Sequence, residues 1–465
     1  MKEENIQNHG LNGLKDSTDV ASITLKKSVS SMQSIKIRDS DKMKEGWEMK
    51  RLGELAEVEY GFTGKATDEG KFRYVRITDI DNNGELVQKE KKYLKFSKEA
   101  SGFKIENEDL LMARTGATFA KVLLYKDFEP SVFASYLIRI KFKQKFENKL
   151  YWYFTKTKSY WDQANSLASG AAQPHFNGAA VKQIIFTYPK SLPEQQRIVS
   201  ILDTAFAAIA KAKANAEQNL KNAKELFESY LQNIFSQNHG LNGLKDSTDF
   251  GTNKSASLEQ SGEMGNLDDE EWEEKTLGEI ADVEYGFTDK STDNGDYRYV
   301  RITDIDKNGE LVSEDKKYIK HSKESGGFLI SKGDLLMART GATFAKVLLF
   351  NDEESSVFAS YLIRIKFKEK IETELYWYFT KTKFYWDQAN ILQSGAAQPH
   401  FNGAAVKQVI FKYPKSVSEQ KKLINKFRNL STETKKLEAI YQQKINDLEE
   451  LKKSVLGKAF SGELR

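Results

Sequence analysis

The stretch LLMARTGATFAKVLL occupies residues 110–124 and returns letter for letter at 335–349, an offset of 225 positions. Working outward from it, the same offset aligns everything from Trp47 to Lys190 with Trp272 to Lys415 without a gap, at about three-quarters identity. A repeat unit this long is a whole domain rather than a solenoid module. The chain is therefore read as two similar globular domains, and a duplicated domain usually implies a target that also has two halves.

Each copy is followed by a polar, heptad-patterned stretch too regular to be a linker. Ser191 with Glu194, and Ser416 with Glu419, have the spacing of a helix-opening capping box. In the first stretch one seam runs Leu202, Ile209, Ala216, Ala223, Tyr230 and the other Phe206, Lys213, Leu220, Phe227, Ile234. In the second they run Leu423, Leu430, Leu437, Lys444, Leu451 and Phe427, Thr434, Tyr441, Leu448, Val455. Such narrow two-position stripes suit a helix partner better than a broad core, so the two helices are expected to pair with each other as an antiparallel coiled coil. Amphipathic helices lying on their own domains are the alternative. The expected order is a polar segment at 1–45, a domain at 46–190, a spacer helix at 191–235, a polar connector at 236–270, a second domain at 271–415 and a second helix at 416–465. The two polar segments share QNHGLNGLKDSTD at 7–19 and 237–249, an offset of 230 rather than 225, so the connectors tolerate length change where the domains do not. Neither shows a period, and both are expected to lack regular structure.

Within each copy, Phe72–Ile80 and Tyr136–Phe142 alternate as strands, the latter with Ile138, Ile140 and Phe142 on one face and Arg139 and Lys141 on the other. Leu150, Tyr153, Phe154, Thr157 and Trp161 follow helical spacing. The fold class expected for each copy is α+β.

Composition narrows the function classes. The 465 residues contain no cysteine, which excludes disulfides and thiolate metal sites, and the five histidines are scattered. No apolar run approaches a membrane span, and the expected location is the cytoplasm. The net charge of +4 hides a local difference: copy one carries 24 Lys+Arg against 18 Asp+Glu, or +6, and copy two 21 against 22, or −1. The phosphate-cradling pattern GxxxxGK[ST] is absent, because Gly64-Lys65, Gly70-Lys71 and Gly457-Lys458 are followed by Ala, Phe and Ala. All six prolines are isolated, so the double-proline motif of adenine methyltransferases is missing too.

What remains is a set of polar, glycine-containing loops identical in both copies. The first offers Tyr60, Thr63 and Lys65, repeated as Tyr285, Thr288 and Lys290. The second offers Arg73 and Arg76, repeated as Arg298 and Arg301, and the third Arg114, Thr115, Thr118 and Lys121, repeated as Arg339, Thr340, Thr343 and Lys346. Arginine forks pair with guanine edges or phosphates, and hydroxyls and amides near glycine hold phosphate oxygens. These are the candidate DNA-binding residues, with a structural role as the competing reading at each. In the fourth loop, SGAAQPHFNGAAV, His175 and His400 are either base readers or packed turn residues.

With these residues in hand the chain resembles the specificity subunit of type I restriction-modification systems. The marks are ARTGATFAKV behind its DLL lead, the SGAAQPHFNG loop, SLPEQQRIVSILD opening the first helix and the terminal LKKSVLGKAFSGEL. One departure is SVSEQKKLI at the second helix, which lacks the proline and the arginine found at Arg197. The resemblance implies a noncatalytic subunit whose two target recognition domains each read half of a gapped double-stranded DNA site. It implies helices that space the domains and dock two methyltransferase subunits, with S-adenosylmethionine bound by those partners and no cofactor on this chain. Restriction motor subunits can join such complexes. Because the reading loops are the same in both copies, the target is expected to be a gapped inverted repeat. The competing function is a coiled-coil scaffold presenting two protein-binding domains without nucleic acid.

Overall fold

The computed structural model describes residues 44–95, 97–169, 175–237, 271–394 and 400–464. The expectations for the polar segments 1–45 and 236–270 fall almost wholly outside them. The chain divides into two compact units, one of residues 1–214 with 445–465 and the other of residues 215–444. Each unit holds one copy of the domain together with portions of both long helices.

In the first copy an antiparallel sheet runs in the order Ala56–Tyr60, Leu137–Phe142, Leu110–Ala113, Val122–Leu124. A smaller sheet orders Tyr93–Leu94, Phe72–Val75 and Ser131–Phe133, the last pair parallel. Trp47–Arg51 pairs antiparallel with Ile185–Pro189, tying the start of the domain to its end. The strand Leu110–Ala113 is apolar at every position because it is buried on both faces. Leu110 and Met112 join the core beneath the helices, whereas Leu111 and Ala113 join the one shared with Val75 and Phe133. Strand alternation thus divides one segment between two cores. The second copy repeats this plan and adds a short strand, Leu329–Ile330.

Two local expectations need correction. The strand beginning at Phe72 stops at Val75, and Ile77–Asp79 forms a 3-10 turn. The Asp79 carboxylate causes this by accepting the Arg76 backbone N–H at 2.8 Å and so curling the chain. The single helical spacing from Leu150 to Trp161 is two helices, Asn148–Phe154 and Lys158–Leu167, because the Thr157 hydroxyl accepts from Tyr160 N and caps a new start.

The long helices are Leu192–Gln237 and Val417–Phe460. In the first unit Arg197 donates to the Leu464 carbonyl at 3.1 Å and Lys213 to Glu449 at 2.5 Å, so one chain direction rises as the other falls. In the second unit Tyr230 meets Phe427. The pairing is antiparallel. The strict heptad seam does not hold throughout: Leu437 and Leu451 are exposed, whereas Thr434 is buried. A straight helix drifts by about 20° per heptad, and toward the domains the buried face broadens. Ile198, Val199 and Leu202 join the first domain core together with Leu456 and Ala459 of the other helix. Leu231, Ile234 and Phe235 join the second core with Leu423, Ile424 and Phe427. Both readings of the helices are therefore realised, in different stretches. At the helix openings, the Glu194 and Glu419 carboxylates bond Arg197 and Lys422, one turn on.

Candidate nucleic-acid interface

The ARTG loop follows directly from the doubly buried strand. Gly116 adopts φ +77° and Ala120 φ +59°, both left-handed, and between them Gly116–Thr118 makes a 3-10 turn. Glycine accepts this geometry freely and alanine does not. Ala120 is held there by its N–H to the Ala113 carbonyl and by the Tyr160 hydroxyl, which donates to its own carbonyl. Ala345 repeats the conformation at φ +57°, with Tyr385 in the same role.

Arg114 is the centre of the best-formed polar group. Its guanidinium lies 4.6 Å from the centroid of the Tyr60 ring, within range of a cation–π contact. One terminal nitrogen donates to the Ser135 carbonyl at 3.1 Å and the other bonds His175 Nε2 at 3.1 Å, leaving one further N–H on each. In the second copy Arg339 stacks on Tyr285 at the same 4.6 Å and donates to Ser360 at 3.1 Å. The backbone completes the constellation, because Thr115 bridges His175, and Phe176 N donates to the Arg114 carbonyl. His175 and Phe176 are thereby brought onto the ARTG loop. His175 supports Arg114 from within this joint rather than standing apart as a reader.

Tyr60 also fixes the neighbouring turn, its hydroxyl accepting from Gly178 N at 2.7 Å, while 42% of the residue remains exposed. Thr63 and Lys65 are exposed on the loop beyond it. Gly61 must be glycine, since a Cβ there would lie 2.2 Å from the Ala134 carbonyl oxygen. Tyr136, whose carbonyl accepts from Arg114 N, is 57% exposed, and its counterpart Tyr361 is 58% exposed. Sequence reasoning passed over this pair. The signal available was an aromatic just before a buried strand in both copies.

Arg73 and Arg298 do not belong to this surface. Each is 1% exposed, and each is braced inside its domain: Arg73 by Gln88, Asp127 and the Val87 carbonyl, Arg298 by Asp352 and the Val312 carbonyl. A guanidinium so enclosed cannot meet a DNA strand, and the expectation for these two is replaced by an internal brace. Arg76 and Arg301 are half-committed, each bidentate to the aspartate three residues on, and they shape the turn that packs against Gly116.

Lys121 and Lys346 lie apart from the Arg114 group. Lys121 donates to Asn82 at 2.7 Å and lines a cleft of about 230 Å³ with Lys156, Lys452 and Lys453. Lys346 lines the corresponding cleft of about 520 Å³ with Lys307, Lys381 and Lys435. Burial over the Trp152 ring pushes Lys156 down to about 8, and burial does the same to Lys381. Thr115 and Thr340 sit in the bridge to the histidines, and the Thr118 and Thr343 carbonyls accept from the Lys121 and Lys346 backbone N–H in the turn that follows the 3-10 turn.

A repeated polar loop on a doubly buried strand, carried by domains that share an antiparallel helix pair, defines a class of protein. Residues 44–221 and 269–450 match the family described as the type I restriction modification DNA specificity domain. The match covers more than half of the chain, which belongs to that family. Among curated proteins it is similar to the type I restriction enzyme StySPI specificity subunit of Salmonella potsdam, 24% identical over 322 residues. That alignment takes in 67% of this chain and spans 64% of the relative's length. The fold is shared with a chain solved in work on complex assembly and conformational transition of the type I R-M system, with a TM-score of 0.67 and 15% identity over 91% of this chain and 100% of that one. It is shared also with the HsdS subunit from Thermoanaerobacter tengcongensis, with a TM-score of 0.57 and 17% identity over 91% and 98%.

Proposed function

We propose that this chain is the noncatalytic sequence-recognition subunit of a type I restriction-modification complex. Each domain reads one half of a gapped double-stranded DNA site, and the paired helices dock two adenine methyltransferase subunits. S-adenosylmethionine belongs to those partners, restriction motor subunits complete a cutting assembly, and the complex works in the cytoplasm. No helix among the described residues is long and apolar enough to cross a membrane. The observation that carries the reading is the matching Arg–Tyr stack on the ARTG loop of both domains, at 4.6 Å in each.

Within that reading the DNA-facing residues are Tyr60, Thr63, Lys65, Arg114 and Thr115 with Tyr136, and Tyr285, Thr288, Lys290, Arg339 and Thr340 with Tyr361. Identical reading loops in the two copies favour a gapped inverted repeat as the target. Mapping methylated adenines in a host genome carrying the system tests this directly, and two unrelated half-sites would refute it. A titration of binding against salt, with the methyltransferase present, separates the DNA reader from a protein scaffold. A reader loses affinity steeply as salt rises; a scaffold shows no DNA binding at any salt.

A further inference from the structure

At one position the two domains meet their helices through charges of opposite sign. In the first unit, Lys149 on the domain pairs with Asp203 on the first long helix at 2.5 Å, and the Tyr153 hydroxyl donates to the same carboxylate. At the offset of 225 these positions become Glu374 and Arg428, and in the second unit the glutamate and arginine pair through two hydrogen bonds. The ion pair is kept and its polarity is inverted.

The inversion is confined to this pair, although the second helix carries two more cations along the same face. Lys421, Arg428 and Lys435, seven residues apart, pair with Glu372, Glu374 and Glu310 of the second domain. The first helix carries Gln196, Asp203 and Ala210 at the corresponding positions, while the first domain keeps glutamates, Glu147 and Glu85, at the counterparts of Glu372 and Glu310, so only the pair at Lys149 and Glu374 tells the two seams apart. Behind Lys149 the first domain adds Lys126, where the second has Asn351. The apolar and neutral contacts at the same seam do not discriminate. Gln195 accepts from Glu147 N and donates to the Pro189 carbonyl, and Gln420 does the same with Glu372 N and Pro414.

We propose that this inverted pair forms an address: it biases each recognition domain toward its own helix, against an exchange of seats within a chain or between two chains. Seating the first domain on the second helix would set Lys149 against Arg428, and the reverse exchange would set Glu374 against Asp203. Repulsion against the wrong partner gives selectivity that the shared apolar contacts cannot supply. The inference rests on the seam alone and holds whatever the domains bind.

The test uses the full chain. Glu374→Lys is expected to speed hydrogen exchange at the seam of Val417–Phe460 with the second domain by about three- to tenfold, since exposed pairs are individually weak and like charges reverse them. Adding Arg428→Asp, which recreates the pair of the first copy, is expected to restore protection, and the defect of the single variant is expected to shrink in 1 M salt. A second arm grafts residues 47–190 in place of 272–415, giving a chain with two first-copy domains. This graft should be loosened at its second seam, and changing the grafted counterpart of Lys149 to Glu should tighten it. If Glu374→Lys leaves exchange unchanged, or if Arg428→Asp does not rescue it, the address does not exist. Should neither graft fold, the paired swap in the native chain decides the matter.

Discussion

In the first domain Arg114 stacks on Tyr60 and in the second Arg339 stacks on Tyr285, both at 4.6 Å, whereas Lys149 of the first and Glu374 of the second carry opposite charges to their helices. The copies also part at Phe128, which is 92% exposed and replaced by Glu353, and at Asn82, which holds Lys121 and is replaced by Lys307. Divergence has fallen on the seams, on open surface and on a few core positions of similar size, such as Tyr125 with Phe350 and Ile184 with Val409. It has spared the loop that presents the arginine. The domains share the Arg–Tyr loop and differ at the seam with their helices, and the sharpest ways to challenge this separation act on one copy at a time.

The largest effect is expected from the buried arginine. Arg73→Leu strands Asp127 without its ion pair and should destabilise the first unit by about 3 kcal/mol, seen as an earlier unfolding transition for that unit alone. Arg298→Leu should do the same to the second unit, where Asp352 loses its partner. Loss of DNA preference without loss of stability would return these residues to the interface.

A smaller effect belongs to Arg114. Arg114→Ala should leave the melting of the first unit nearly unchanged and weaken binding by about 1–3 kcal/mol, relaxing sequence preference in one half-site only. Arg339→Ala should relax the other half equally. Selection from a randomised DNA library reads both outcomes, and a folded double variant with unaltered selection would show the Arg–Tyr stack to be structural.

The smallest effect is a pH dependence. Burial lowers Lys156 and Lys381 from 10.5 to about 8, so between these values the folded chain binds fewer protons than the unfolded chain. Stability therefore gains from these two lysines as pH rises above about 8. From pH 8 to 9 their share should amount to about 1–2 °C in melting temperature. A Lys156→Met, Lys381→Met chain should lose that share of the slope.

The duplication and the helices were legible because they are local or periodic signals. Ile138 and Ile140 went inward and Lys141 outward as their alternation required. The burial of Arg73 was not legible, since its partners Gln88 and Asp127 lie 15 and 54 residues away. An arginine in an alternating strand looks the same whether it meets solvent or a distant carboxylate. His175 was ambiguous for a similar reason: its partner Arg114 is 61 residues upstream, and only the folded loop joins them. The inverted charges could have been found, because Asp203 and Arg428 stand at the same offset as the domains. Finding them required comparing the helices position by position, rather than by seam alone.

Ala120 and Ala345 carry a further consequence. A left-handed alanine is held against a cost of about 1 kcal/mol, which a single codon change to glycine would remove. The two copies differ at about a quarter of the aligned positions, yet both have the alanine, and both have the tyrosine that clamps its carbonyl. Each copy carries the same strained corner, so a change to glycine at either alanine would relieve about 1 kcal/mol of backbone cost in that domain alone.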